Sequence, residues 1–262
     1  MLPIGGETLV LTHDMMAEGT HFLPDQDMAD VAWKLVAVNL SDLAAKGAEP
    51  VGVLLGYSLG CDDARFAEGL REVCDNYAVP LLGGDTIAAT GPRSFGLTAI
   101  GRATHTPVPG RDGARPGDGV YVTGVLGAAL LGYEALRDGT DGDSAPYRRP
   151  RPLLAEGRAL APLTSAMMDV SDGLLLDCWR MAQASRAGFS LESRGFPVAD
   201  GARRDACVRW GDDYQLLFTA SPHHALPVAA SRIGTVEAQD APALQVDGAV
   251  LTPQDGLGYQ HG

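Results

Sequence analysis

The chain has 262 residues, of which 45% are hydrophobic, and its formal net charge at pH 7 is −13. This length suits one large domain or two ordinary ones, and the composition is typical of a globular protein with a hydrophobic core. So acidic a chain argues against nucleic-acid binding, since phosphate backbones need a basic surface. We expect a cytoplasmic protein with no membrane partner, because no apolar run approaches the roughly 20 residues that span a bilayer and no signal-peptide pattern follows Met1.

Two common kinds of site do not fit this sequence. The two lysines, Lys34 and Lys46, stand outside any GxxxxGK[ST] pattern, which excludes a P-loop nucleotide site. The four cysteines show no CxxC pairing, so we predict reduced, mostly buried thiols and no zinc site. These cysteines are Cys61, Cys74, Cys178 and Cys207.

The first half of the chain alternates between strand and helix patterns. The predicted order is strand, helix, strand, helix, strand, strand, which is typical of an α+β layer. The elements are a strand from Glu7 to about Leu11, a helix capped by Asp27 and stopped by Gly47 and Pro50, a strand from Val51, a helix capped by Asp62 or Asp63, a short buried strand from Val79 and a strand from Phe95.

A segment rich in Pro, Gly and charge begins at His105 and marks a domain boundary. We therefore predict an N-terminal domain over residues 1–104 and a C-terminal domain over residues 112–262. The predicted C-terminal elements are a strand at 120–124, a helix from about Leu126, a mobile polar loop from Arg137 to Pro152, a strand at 166–170, a helix from Ser171 or Asp172 to near Gly188, and strands after Trp210 and in SRIGTVE.

Acidic residues stand where the pattern predicts burial. Asn39 and Asp42 are three residues apart in a mostly apolar helix, so both project from one face. A carboxylate there is costly unless a cation meets it. One interpretation is that Asp42 caps a loop or pairs with an Arg, and the other is that it binds a metal ion.

The predicted strand-to-helix junction at Asp169, Ser171 and Asp172 carries a second acidic group. A helix N-terminus offers N–H groups to anions and flanking carboxylates hold cations, a mixture that suits a metal–phosphate complex. Plain N-capping explains Ser171 or Asp172 but not Asp169 as well. Gly83–Gly84–Asp85 also permits close approach to a phosphate, although such a turn is a weak signal alone. His21, a lone histidine, follows Asp14 by seven residues.

Taken together, these motifs resemble thiamine-monophosphate kinases over essentially the whole chain. The wider superfamily includes aminoimidazole ribonucleotide synthetase and selenophosphate synthetase. The resemblance is carried by THDMMAEGTHFLPD, WKLVAVNLSDLAAKGAEP, LLGGDT, DGARPGD, YVTG, MDVSDGLLLD, GDDYQLLFT and the terminal GYQH.

The resemblance implies a two-domain aminoimidazole ribonucleotide synthetase-like fold of mixed α+β and α/β class. Its N-terminal domain would be ferredoxin-like, would dimerise and would bind metal and nucleotide, and its C-terminal α/β domain would complete the active site. A homodimer would convert ATP and thiamine monophosphate to ADP and thiamine diphosphate by in-line transfer. No acid or base residue is assigned, since a phosphomonoester with a second pKa of about 6 is already largely ionised at pH 7.

The resemblance also implies a set of site residues. Several Mg²⁺ ions would be held by Thr12, Asp14, Asp42, Asp85, Asp169 and Asp172. ATP would contact Gly84, Asp85, Arg111 and Ser171. Thiamine monophosphate would contact His21, Asp212 and Tyr259.

Three departures from the family pattern leave alternatives open. The family carries an acidic motif, about GDDAA, before the point where this chain begins, and we expect the true start to lie upstream. His13 replaces a usual Ser or Thr, Gln215 replaces a usual Glu, and the segment from Gly195 to Val208 is shorter. One alternative is a sibling ATP-dependent enzyme with another substrate. The other is a catalytically weak paralogue that binds nucleotide or thiamine phosphate.

Overall fold

The computed structural model describes residues 1–88 and 90–260, which form two sheets with their helices. The N-terminal sheet has the order β1-β2-β5-β3-β4, in which β3 and β4 run parallel. Its strands are β1 (Leu2–Ile4), β2 (Glu7–Ala17), β3 (Ala48–Leu59), β4 (Leu81–Ala88) and β5 (Ser94–Ala103). Its helices are α1 (Met28–Ala44) and α2 (Asp63–Asn76).

The C-terminal sheet has the order β12-β11-β8-β10-β6-β9-β7. Its strands are β6 (Gly119–Thr123), β7 (Thr164–Asp169), β8 (Gly188–Leu191), β9 (Leu216–Ala220), β10 (Ala230–Glu237), β11 (Leu244–Val246) and β12 (Ala249–Val250). The helices of this half are α3 (Ala128–Asp138), α4 (Ala145–Arg148), α5 (Leu154–Leu160), α6 (Leu174–Ser185) and α7 (Arg204–Trp210).

Helix α1 lies at the centre of the N-terminal domain, and nearly all its residues are buried. The side chain of Asp27 accepts the N–H of Ala29 and caps the helix as predicted. Gly47, at φ +57°, supplies the left-handed residue that turns the chain from α1 into β3. Gly69 lets α2 approach α1, since a Cβ there would collide with the backbone of Ala29.

The N-terminal sheet is covered by helices on one face only. Leu55 and Tyr57 pack into the core beneath α1, so Leu54 and Gly56 lie on the opposite face of the strand. Large apolar side chains on that open face are exposed. They are Leu11, Met15, Leu54 and Ile87.

The predicted strands and helices of the N-terminal half occur in the predicted order, preceded by a short strand, β1, that was not predicted, and three other predicted boundaries or environments are wrong. Strand β2 does not end near Leu11, because its alternate polar residues face α1 and the strand continues to Ala17. Strand β4 is not buried: it is an edge strand whose eight residues are all exposed. Helix α6 begins at Leu174, after Gly173, rather than at Ser171 or Asp172.

The segment from Arg137 to Pro152 is more structured than predicted. It contains α4, and Tyr147 is buried. Arg148 and Arg149 both pair with the buried carboxylate of Asp30, and the indole N–H of Trp33 donates to the carbonyl of Pro150 at 3.3 Å. These contacts fix the segment against α1.

All four cysteines are free thiols, of which Cys178 and Cys207 are buried while Cys61 is exposed. Within the described ranges, no helix combines the length and the apolar character needed to cross a bilayer.

Candidate active site

A pocket of about 490 Å³ lies where the two domains meet. The N-terminal domain contributes β2, the loop after it and one stripe of α1. The C-terminal domain contributes the β7–α6 and α7–β9 loops and Tyr259. Of the predicted site residues, the pocket brings together Asp14, Asp42, Asp169, Asp172, Ser171, His21, Asp212 and Tyr259.

One end of this pocket is acidic. Asp14 lies on the face of β2 that meets α1, and its N–H donates to Asn39 Oδ1 at 3.1 Å. The hydroxyl of Thr12, two residues earlier on the same face, donates to the carboxylate of Asp42. The domains are joined here, because Ser41 Oγ donates to Asp169 Oδ2 at 2.6 Å. Asn39 and Ser41 of α1 thus hold Asp14 and Asp169 beside Asp42.

These carboxylates destabilise one another when charged. Burial raises the pKa of Asp14 to about 7, and the nearby charge of Asp42 adds to the effect. Burial, again reinforced by Asp42, raises the pKa of Asp169 well above its ordinary value. A cation would relieve this repulsion.

The donor set fits Mg²⁺ by its chemistry, since this ion prefers carboxylate, water and phosphate oxygens. Within residues 1–88 and 90–260, no group of three or more His, Cys, Asp or Glu side chains is already arranged so that it could hold a metal ion. Magnesium coordination by these residues therefore stays a prediction.

Asp177 organises the β7–α6 loop and was missed from the sequence. Its fully buried carboxylate accepts the N–H groups of Ser171 and Asp172, both at 3.1 Å. Arg180 bridges Asp177 and Asp172. Contrary to the sequence prediction, the N–H groups at this junction are therefore occupied by the protein's own carboxylate. The available signal was an Asp in the apolar run LLLD at the start of the helix.

The other end of the pocket is aromatic. Trp210, Tyr214 and Tyr259 line it, and the Tyr214 hydroxyl donates to Asp212 Oδ1 at 3.0 Å. The Nδ1 atom of His21 accepts the N–H of Ala17 at 3.1 Å, so a neutral ring carries its proton on Nε2. Aromatic faces beside a carboxylate are suited to a flat cationic ring.

Lys34 is a second residue that the sequence interpretation did not assign to the site. Its ammonium lies at the base of the pocket and donates to Asp212 Oδ2 at 2.8 Å and to the His21 carbonyl at 3.1 Å. The signal was a lysine inside the apolar helix WKLVAV.

The pocket lining does not include Thr12, Gly84, Asp85 or Arg111, although Thr12 contacts the lining residue Asp42. Strands β5 and β3 separate β4 from β2. Three strand spacings therefore place Asp85 about 14 Å from the strand that carries Asp14. Asp85 is in register with Gly56 and therefore faces the open side of the sheet, away from Asp14. Arg111 lies in the segment between the domains. Burial of Lys46 lowers the pKa of its ammonium, and the nearby charge of Arg111 lowers that pKa further.

Asp213→Asn is expected to flatten the pH dependence of stability between about pH 4 and pH 7. Burial raises the pKa of Asp213 to about 7 from an ordinary 3.8, although its carboxylate accepts the N–H groups of Gly127 and Ala129. The folded chain then holds a proton that the unfolded chain has lost. The free energy of unfolding should fall as pH rises through this window, by up to about 1.4 kcal/mol per pH unit.

Asparagine retains the acceptor for the α3 N–H groups and has no charge to bury. Urea unfolding at pH 4.5 and 7.5 measures the difference between wild type and variant. Asp200→Asn, which alters an exposed carboxylate that accepts the N–H of Ala202, serves as the control. Parallel pH curves for wild type and Asp213→Asn would contradict the prediction.

Comparison with known proteins identifies the family. The chain matches the family model "AIR synthase related protein, N-terminal domain" over residues 1–103 and the corresponding C-terminal domain over residues 115–247. It is 37% identical to the thiamine-monophosphate kinase of Escherichia coli K12 over 255 residues, which cover 87% of this chain and 76% of that protein. The corresponding kinase of Caulobacter vibrioides is 35% identical, with 98% and 81% covered.

This chain belongs to the thiamine-monophosphate kinase family. The solved structures agree: the thiamine-monophosphate kinase of Stenotrophomonas maltophilia K279a superimposes with a TM-score of 0.85 at 33% identity, covering 95% of this chain and 88% of that one. AaThiL, solved in complex with AMPPCP and TMP, superimposes with a TM-score of 0.88 at 29% identity, covering 96% and 87%. The predicted two-domain fold of mixed α/β type is confirmed by these matches.

Proposed function

We propose that this member of the thiamine-monophosphate kinase family transfers the γ-phosphoryl group of ATP to thiamine monophosphate, giving ADP and thiamine diphosphate in thiamine diphosphate biosynthesis. The observation that carries the proposal is a single pocket with an acidic end and an aromatic end, formed by both domains. The acidic end suits a metal–phosphate complex and the aromatic end suits a thiazolium ring. A relative with the same fold was solved with AMPPCP and TMP.

The reaction needs little acid–base help from the chain. The acceptor is a phosphate oxygen that is largely ionised at neutral pH. The residues of the site therefore act by binding, orienting and excluding water. The β7–α6 loop, fixed by Asp177, presents Ser171 to the nucleotide. Arg111, which lies outside the pocket lining, is assigned to the ATP phosphates by family resemblance alone.

Thr12, Asp14, Asp42, Asp85, Asp169 and Asp172 are the residues that would hold Mg²⁺. When bound, the ions offset the repulsion between the two polyanionic substrates. The crowding of Asp14, Asp42 and Asp169 supports this role, because the burial of Asp14 and Asp169 beside the charge of Asp42 favours a bound cation.

The thiamine end of the substrate is assigned to the aromatic half. His21 Nε2–H is a donor for the substrate, Asp212 lies beside the ring, and Tyr259 lies against the flat rings by a cation–π contact. The backbone of Tyr259 is held in place, since its N–H donates to the carbonyl of Asp172 at 2.9 Å. One backbone contact therefore couples the substrate side to the metal side.

The active form is proposed to be a homodimer in which Asp85 and Gly84 reach the site of the partner subunit. Two observations support this assignment. Asp85 lies three strands from Asp14 and on the opposite face of the sheet, so it does not face the pocket of its own subunit. The open face and the exposed edge β4 offer apolar surface and unpaired backbone groups to a second sheet.

Release of ADP measured with and without thiamine monophosphate tests the function. The proposal predicts ADP release that depends on both thiamine monophosphate and Mg²⁺, with thiamine diphosphate formed in equal amount. An ADP release rate that does not depend on thiamine monophosphate would favour a sibling enzyme with another substrate. Tight binding of both ligands without turnover, also in a protein extended by upstream codons, would favour a non-catalytic binding role.

A further inference from the structure

Lys34 is a buried cation that joins three separate segments around the pocket. The residue is 1% exposed, and its ammonium contacts Asp212 Oδ2 at 2.8 Å and the His21 carbonyl at 3.1 Å. It also lies 3.8 Å from the centre of the Tyr147 ring, whose hydroxyl donates to the same carbonyl at 3.1 Å. The partners come from the β2–α1 loop, the α7–β9 loop and α4.

Burial of an ammonium is costly unless its N–H donors all find acceptors. Here the donors are directed at a carboxylate, a carbonyl and an aromatic face. A core that needed only packing would be as stable with an apolar side chain at this position. The arrangement therefore indicates that Lys34 fixes the positions of its partners rather than adding to the stability of the fold.

The position of Lys34 in α1 connects both ends of the pocket. Lys34, Val38 and Asp42 follow one another at four-residue spacing, and all three line the pocket. About 12 Å of rigid helix thus separates the cation from the acidic end. A shift of Lys34 along the pocket would require movement of the helix that carries Asp42.

We propose that Lys34 is a positioning residue for the thiamine end of the substrate. It fixes His21 from the N-terminal domain against Asp212 from the C-terminal domain, and it holds one oxygen of the Asp212 carboxylate while Tyr214 holds the other. The inference rests on the proposed function for the identity of the ligand. It predicts that loss of the Lys34 ammonium weakens binding of thiamine monophosphate and leaves binding of ATP unchanged.

Lys34→Met tests this role, because methionine keeps much of the side-chain length without the charge. We expect the KM for thiamine monophosphate to rise at least about tenfold, and the KM for ATP to change less than about twofold. Lys34→Arg, which can reach both oxygen partners, should recover part of the loss. Calorimetric titration with thiamine monophosphate alone provides a second readout that does not need turnover.

Two variants separate positioning from folding. Lys34→Met with Asp212→Asn leaves no unpaired charge at this partly buried contact, so it should restore the melting temperature but not thiamine monophosphate binding. Arg93→Met removes a half-buried cation that pairs with Asp63 at 2.9 Å outside the pocket. It should lower the melting temperature with neither KM changed.

An unchanged KM for thiamine monophosphate in Lys34→Met, in a wild-type background that forms product, would overturn the role of Lys34. Equal increases in both KM values would also overturn it, since they indicate a general loss of structure. Failure of the wild-type protein itself to bind thiamine monophosphate would instead overturn the proposed function and, with it, this inference.

Discussion

Asp42→Asn is expected to lower the rate of thiamine diphosphate formation at least about a hundredfold, which corresponds to about 2.7 kcal/mol of lost transition-state stabilisation. The substitution removes a full charge from the end of the pocket where Asp14 and Asp169 also lie, and keeps nearly the same shape. Its amide oxygen can still accept the Thr12 hydroxyl. Steady-state rates at limiting and saturating Mg²⁺ measure the effect.

The fold should survive this substitution, since one of several mutually repelling carboxylates becomes neutral. The melting temperature without divalent cation should equal or exceed that of the wild type. Asp118→Asn is the matched control, because Asp118 is a buried carboxylate outside the pocket that accepts the Ser165 hydroxyl at 2.5 Å. Near-normal turnover of Asp42→Asn at limiting Mg²⁺ would exclude a metal-binding role for Asp42.

Mixing two inactive variants, Asp42→Asn and Asp85→Asn, is expected to restore activity. If Asp85 acts in the partner's site, a mixed dimer contains one site with both substitutions and one site with neither. Random exchange of subunits makes half of the dimers mixed, and the mixture should then reach about one quarter of the wild-type rate. The measurement is thiamine diphosphate formation before and after subunits exchange.

Each variant alone must be inactive for the mixing result to be informative. A mixture of Asp42→Asn with Asp118→Asn controls for the effect of subunit exchange itself. Its activity should not exceed the activity contributed by the Asp118→Asn subunits. Mixtures of Asp42→Asn with Asp85→Asn that stay inactive after exchange would place Asp85 in its own subunit's site. A fully active Asp85→Asn protein would remove this residue from the reaction.

Local features of the site were predictable from the sequence. The Asp27 cap depends on contacts within a few residues, and the placing of Asn39 and Asp42 on one helix face follows from helix geometry. The strand-to-helix junction pattern indicated Asp169 and Asp172, and family resemblance added Asp14; the structure places all three around the same pocket.

Contacts between distant parts of the chain could not be predicted from patterns. Ser41 and Asp169 are 128 residues apart, and Lys34 and Asp212 are 178 residues apart. No spacing rule relates residues so distant, because their approach depends on how the two domains pack. Asp177 was missed for a related reason, since only the loop geometry reveals which N–H groups its carboxylate accepts.

The error at β4 has a physical cause. VPLLGGDT has the apolar character of a buried strand, yet it forms an exposed edge in the single chain. Likewise, the sequence predicts too early an end for β2, because Thr12 and Asp14 are polar. Their polarity reflects the polar partners Asn39 and Asp42 on α1 rather than the end of a strand.

Transfer of label from [γ-³²P]ATP to thiamine monophosphate is the most direct measurement of the proposed activity. The purified chain, with Mg²⁺, should place the label in thiamine diphosphate, and Asp42→Asn should place almost none there. Label that appears only as inorganic phosphate, or in thiamine diphosphate equally with wild type and Asp42→Asn, would contradict the assignment of this pocket to phosphoryl transfer.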